Sequence, residues 1–432
     1  MFMKQYRSLS QKLDVKGFDL TLLLTVLIIT LFGIATIFSA VSSGPSNDDK
    51  LWVSQIIRLA IGLTAMAIAL LIDYRLLNGV AYIFYAIGFV LLAIVLAIPE
   101  SSGARRWVMG GAIQPSELAR IILIITLAQY LSEKKEVSEQ PRTFITAGAI
   151  VLAYTFMIFM QPSLGYALTI IPVALAMFFV GGINRTYLIL VTLLVVVSAS
   201  STILILYKDW NFKSASAIVK LILMIAIYSA FTVLAYYLIS KTRIKEGTKW
   251  VKLIAPCLIG GVLSAMIGSV VLKDYQKARL IAFVDADSDP AGSGYHIIQS
   301  KIAIGSGGFF GQGYMHGTQN RLDFLPAQHT DFIFSVIAEE WGFIGSLIIL
   351  ALYFTLIMNG LKAATIADDL FGILLATGIV TMIATQVFLN LGVTLGLMPI
   401  TGVPLPLMSY GGSSLLATFI CIGLLLNIRL RR

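Results

Sequence analysis

Three stretches of this chain bring together side chains that can do acid, base or phosphate chemistry. The first runs VDADSDPAGSGYHIIQSKIAIGSGG over 284–308, with Asp285, Asp287 and Asp289 near the cationic Lys301. A carboxylate at a membrane–water boundary can accept a proton from an attacking hydroxyl as general base. Asp289 precedes Pro290, which biases it away from helix and onto a stiff extended turn. Spacing alone leaves the choice among the three acids open. Their D-x-D-x-D run lacks the downstream Gly and Glu of a calcium-binding loop. The second stretch, SSGARRWVMGGAIQPSELARI over 101–121, holds the adjacent pair Arg105 and Arg106. Paired guanidinium groups recognise phosphate oxygens through several planar donors. Glu117 and Arg120 follow, three residues apart on a helix, where they can pair with each other. The third, GYMHGTQNRLDFLPAQHTDFIFSVIAEEWG over 313–342, spaces Asp331, Ser335 and Glu339 four apart. That spacing predicts one helix face entering the membrane. Ionisable groups within a span usually face a bundle interior or a wet cavity. His296, His316 and His329 are the chain's three histidines. They lack the HExxH or Cys/His spacing of a zinc site, so no metal site is expected.

These residues must be positioned by membrane-spanning helices. Of the 432 residues 58% are hydrophobic and 12% charged, about half the charged share of a soluble domain. The net charge of +9 sits in short segments between apolar runs, the pattern of the positive-inside bias and not of nucleic-acid binding. Cys257 and Cys421 both lie within apolar runs, so no disulfide framework is implied. With roughly 20 helical residues per crossing, the chain reads as all-α and polytopic, with about twelve spans. They fall near 19–41, 52–72, 78–99, 115–132, 143–160, 164–182, 186–207, 217–239, 251–272, 332–360, 369–395 and 410–429. Lys4, Arg7, Lys12 and Lys16, then Lys134, Lys135 and Arg142, then the basic run 241–252, then Arg429, Arg431 and Arg432 all fall on one side. That side is expected to be cytoplasmic and to hold both termini. The opposite side receives 100–114, the large loop 273–331, and 396–409. Pro399, Pro404 and Pro406 preclude regular helix in the last of these.

At these segments the sequence resembles the SEDS family (RodA/FtsW/SpoVE), its elongation branch more than its division branch. The matching runs are GARRWV, QPSELAR, DSDPAGSGYHIIQSKIAIGSGG, GYMHGTQ, FLPAQHTDFIFSVIAEE and TGVPLPLMSYGGSS. The resemblance implies a peptidoglycan glycosyltransferase that polymerises lipid II on the outer face of the cytoplasmic membrane during elongation. It also implies a class B penicillin-binding protein and other elongation-complex proteins as partners. It implies no cofactor, and it leaves a divalent-cation requirement open. In that family the acid of the D-P-x-G-x-G-Y run is essential, which selects Asp289 as the catalytic residue. Importance carries over to Arg106, Glu117, Arg120 and Lys301, which with Arg105 make the expected substrate-binding set, Arg106 together with Arg105, Arg120 and Lys301 stabilising a departing diphosphate. The chain departs from the family where Ser163 replaces a frequent acid and Arg120 a frequent Lys. About sixty residues within 183–250 look like inserted spans between an N-terminal half, 1–182, and a C-terminal half, 251–432. Hydropathy by itself also fits a transporter of lipid-linked precursors, or a scaffold without catalysis.

Overall fold

The computed structural model describes residues 18–42, 50–97, 114–161, 163–207 and 247–431, apart from 291, 293, 323 and 325–327, together with positions 226, 230 and 237. Regular structure among the described residues is helical: α1 (Leu20–Ser42), α2 (Lys50–Leu71), α3 (Arg75–Ala97), α4 (Pro115–Glu133), α5 (Pro141–Met160), α6 (Leu164–Val180), α7 (Arg185–Tyr207), α8 (Gly247–Val271), α9 (Asp274–Val284), α10 (Tyr295–Gly307), α11 (Thr318–Arg321), α12 (Ile333–Ile366), α13 (Leu370–Thr394) and α14 (Gly412–Leu430). Helix is the form that satisfies every backbone N–H and C=O within one segment, as lipid requires. Nine of the described helices are long and apolar enough to cross a membrane. Each expected span except 217–239, which apart from positions 226, 230 and 237 lies outside the described residues, coincides with a helix. In α4 the polar pair Glu117 and Arg120 lowers the mean hydropathy, and α6 is short at 17 residues.

The chain divides into two units, Met1–Gly182 with His296–Arg432, and Ile183–Tyr295. In the first, α4, α13 and α14 form the buried interior, and α14 lies along α2. Close approach is possible because Gly62 faces the Phe419 ring and Gly423 faces the backbone of Met66. In the second unit α7 and α8 pair through small residues, with Gly261 against Val197 and Ser264 donating to Ser198 at 2.9 Å. The boundary expected at 250 falls inside α8. The loop 273–331 is not one body either. Its first part, through α9, packs on α7, whereas α10 is fastened to α12 and α13 by hydrogen bonds.

The glycine-rich run after α10 has a structural task. α12 breaks at Gly342, where φ is +63°. Gln312 and Gly313 donate their N–H groups to the carbonyls of Glu339 and Glu340, both at 3.0 Å, and Phe343 donates to Gly308 at 3.0 Å. The backbone groups freed by the kink are thus re-satisfied by the neighbouring segment. A Cβ at Gly311 would lie 2.1 Å from the Glu340 carbonyl oxygen, so only glycine permits this approach.

Candidate active site

α4 begins with Pro115 at its first position, where the missing N–H removes no helical bond. Its first turns carry Glu117 and Arg120, both side chains 2% exposed and joined as an ion pair. Arg120 also donates to Thr169 Oγ1 at 3.3 Å, and its guanidinium lies 4.5 Å from the centre of the Tyr166 ring. With its amide oxygen turned to the cation, the orientation its neighbours require, Gln386 accepts from both terminal nitrogens at 2.9 and 3.0 Å. A buried charge persists only with such partners. Glu117 Oε1 and Arg120 Nε have no partner among the described residues. A void of about 10 Å³ between Arg120, Thr169 and Met382 has room for a single water.

Gln386 begins a polar stripe on α13, since Asn390 and Thr394 follow at four-residue steps on the same face. Asn390 Nδ2 donates to the Asp331 and Val403 carbonyls at 2.9 and 3.0 Å, joining the turn before α12 to the proline-rich segment. Ser300 donates to the Thr394 carbonyl at 2.6 Å and lies 2.7 Å from Ser335 Oγ. The single Ser300 proton is thereby used, so Ser335 is the donor in that second bond. Ser409 donates to Thr330 at 2.6 Å, Tyr410 to His329 at 2.8 Å, and Tyr353 to the Pro406 carbonyl at 2.6 Å. The segment between α13 and α14 is irregular, as its prolines demand, and it is tied to both neighbours.

One expectation needs correction. α12 starts at Ile333, so Asp331 lies in the turn ahead of it and does not share a helical face with Ser335 and Glu339. Those two serve separate partners: Ser335 meets α10, whereas Glu339 accepts from Thr318 Oγ1 at 3.2 Å and from the Gln319 N–H at 2.8 Å.

In the second unit a short 3₁₀ turn, Ala286–Ser288, delivers an exposed Asp289. The Asp289 carbonyl accepts from the N–H groups of Gly292 at 3.2 Å and Gly294 at 3.1 Å. The turn therefore wraps around the acid. A Cβ at Gly292 would fall 2.2 Å from Asp289 Oδ2, and one at Gly294 would fall 2.0 Å from the Ala286 carbonyl oxygen. Asp287 is exposed and Asp285 half-buried at the end of α9.

Among the anticipated residues, Glu117, Arg120 and Lys301 belong to the first unit and Asp289 to the second. Arg105 and Arg106 lie outside the described residues. Lys301 is exposed, with its Nζ 2.8 Å from where a Cβ on Gly396 would be. Ser163 is buried and bonds back to the Ile158 carbonyl at 2.9 Å, closing the end of α5. Gln386, Asn390, Thr394 and Tyr166 were not anticipated. The signal for three of them was present, as polar residues at i, i+4 and i+8 in an apolar run. Among the described residues no group of three or more His, Cys, Asp or Glu could hold a metal ion.

Fold and site together define a multi-pass helical membrane protein whose polar loops are fastened to buried polar side chains of the bundle. A family model described as "Cell cycle protein" (FTSW_RODA_SPOVE) matches residues 19–222 and 217–432, and the chain belongs to that family. It is 36% identical over 431 residues to the peptidoglycan glycosyltransferase RodA of Treponema pallidum, covering 97% of this chain and 99% of the relative. It is 34% identical to the peptidoglycan glycosyltransferase MrdB of Escherichia coli K12, covering 97% and 95%. Among solved structures, a chain of a peptidoglycan synthase complex that coordinates polymerization and crosslinking aligns with TM-score 0.65 and 29% identity, over 95% of this chain and 97% of that one. The rod shape determining protein RodA of Thermus thermophilus aligns with TM-score 0.58 and 26% identity, over 95% and 96%.

Proposed function

We propose that this chain polymerises lipid II into glycan strands at the outer face of the cytoplasmic membrane, beside a class B penicillin-binding protein that cross-links the product. In the reaction a sugar hydroxyl attacks the anomeric carbon of a lipid-linked sugar. The new C–O bond forms as the bond to diphosphate breaks, polyprenyl diphosphate leaves with the electron pair, and the hydroxyl proton passes to Asp289. The anomeric configuration inverts. Arg106, with Arg105 and Lys301, compensates the charge growing on the departing diphosphate. Arg120, its donors directed to Glu117, Thr169 and Gln386, is a positioning residue that holds α4 against α6 and α13.

The observation that carries this reading is the turn after Ser288, which sets the Asp289 carboxylate against Gly292, where a Cβ would push it aside, and has no room for a side chain at 294 beside the Ala286 carbonyl. Purified protein given labelled lipid II should yield glycan chains on a gel, whereas a transporter or scaffold makes none. Gly292→Ala should lower that yield by about 100-fold, because misplacing a catalytic group by about 1 Å costs that much. Gly305→Ala, where nothing lies within 4 Å, should leave it near wild type. Equal yields would remove the turn from the mechanism.

With both termini inside, an impermeant thiol reagent added to intact cells should label Arg321→Cys and spare Lys135→Cys, both exposed positions. The reverse pattern would invert the topology and place Asp289 on the wrong side for lipid II polymerisation.

A further inference from the structure

A cleft of about 450 Å³ opens between α2, α4 and α14, walled by Ile57, Ile61, Leu118 and Leu416, with Ser54, Arg58 and Ser413 as polar members. Ile57 is 58% and Ile61 54% exposed, which on a spanning helix means contact with lipid chains. Arg58 is the single charged residue among the described residues of the lining. Its guanidinium stacks 4.2 Å from the centre of the Tyr410 ring, and its Nε lies 3.0 Å from where a Cβ on Gly412 would be. Stacking engages the face of the guanidinium and leaves its in-plane donors unused. Nη1 is buried without a hydrogen-bond acceptor among the described residues. A cation in a span without an acceptor is unfavourable, and an anion entering from the bilayer would relieve it.

We propose that this cleft binds an anionic glycerophospholipid, its phosphodiester on Arg58 and an acyl chain along Ile57, Ile61, Leu118 and Leu416. Arg58 lies level with the first turns of α4 and α14, at Leu118 and Gly412, which suits a headgroup and not the bilayer centre. One cation matches the single charge of a phosphodiester. No carboxylate in the described lining awaits the ammonium or choline of a zwitterionic lipid. The cleft is also apart from the buried pair. Leu118 stands about 100° around α4 from Glu117 and about 160° from Arg120.

The test is native mass spectrometry of the full chain titrated with palmitoyl-oleoyl phosphatidylglycerol or the matching phosphatidylcholine. Wild type should retain one phosphatidylglycerol at least tenfold more tightly than phosphatidylcholine. Arg58→Gln should lose about tenfold of that affinity, the worth of a hydrogen bond to a charged group, whereas Arg58→Lys keeps most of it. Ile61→Trp, which keeps the cation and fills the cleft, should lower retention of both lipids. Equal retention by wild type, Arg58→Gln and Ile61→Trp overturns the proposal. Displacement of phosphatidylglycerol by one equivalent of polyprenyl diphosphate overturns it too, by assigning the cleft to substrate.

Discussion

Asp289→Asn should lower glycan polymerisation by about 10²- to 10⁴-fold, the usual loss on removing a general base, while the protein still folds and binds lipid II. The amide keeps the shape of the carboxylate and cannot take the hydroxyl proton. Folding should be little affected, because Asp289 is exposed, the amide keeps its shape, and the backbone carbonyl that accepts from Gly292 and Gly294 stays in place. Asp287→Asn should be mild, since Asp287 is exposed and no glycine turn wraps its side chain. Asp285→Asn should also polymerise, with any loss traceable to the end of α9 that it caps. Single-turnover assays with labelled lipid II separate the chemical step from binding. Near-normal turnover by Asp289→Asn with a dead Asp285→Asn would move the base to Asp285. If none of the three acids mattered, a carboxylate mechanism would fail.

The sequence made the spans legible because lipid imposes a simple rule, an apolar helix of fixed minimum length. It made the signature loops legible through their glycine and proline content, which excludes regular helix. The break in α12 was not legible. Gly342 sits in an apolar run that reads as continuous helix, and its kink exists because 308–313 comes alongside to bond Glu339, Glu340 and Phe343. α12 begins only at Ile333, two residues after Asp331, which separates Asp331 from Ser335 and Glu339. Spacing showed that Glu117 and Arg120 could meet. It could not show that Tyr166, Thr169 and Gln386 close around the pair, because those come from α6 and α13. Position 250 looked like a boundary because the resemblance to the family left an apparent insertion over 183–250, yet the helix Gly247–Val271 runs through it.

The role of Arg120 can be decided by a double-mutant cycle. Glu117→Met should destabilise the protein by about 3–5 kcal/mol, because it leaves a buried guanidinium without its anion. Arg120→Met should cost a similar amount by orphaning the Glu117 carboxylate. The two side chains are each 2% exposed, so bulk water cannot rehydrate whichever charge remains. Replacing both with Met should recover most of the loss, since a buried pair exchanged for apolar residues of similar volume is often near neutral in stability. Unfolding in micelles, followed by denaturant titration, reads these differences. Polymerisation of the refolded double variant then separates two roles. If Arg120 only holds α4 against α6 and α13, as its bonds to Thr169 and Gln386 indicate, the stable double variant should keep KM within a few-fold of wild type and lose part of kcat through looser positioning. If Arg120 instead grips the diphosphate, the double variant should be stable and show a large rise in KM, because binding in ground and transition states would be lost together.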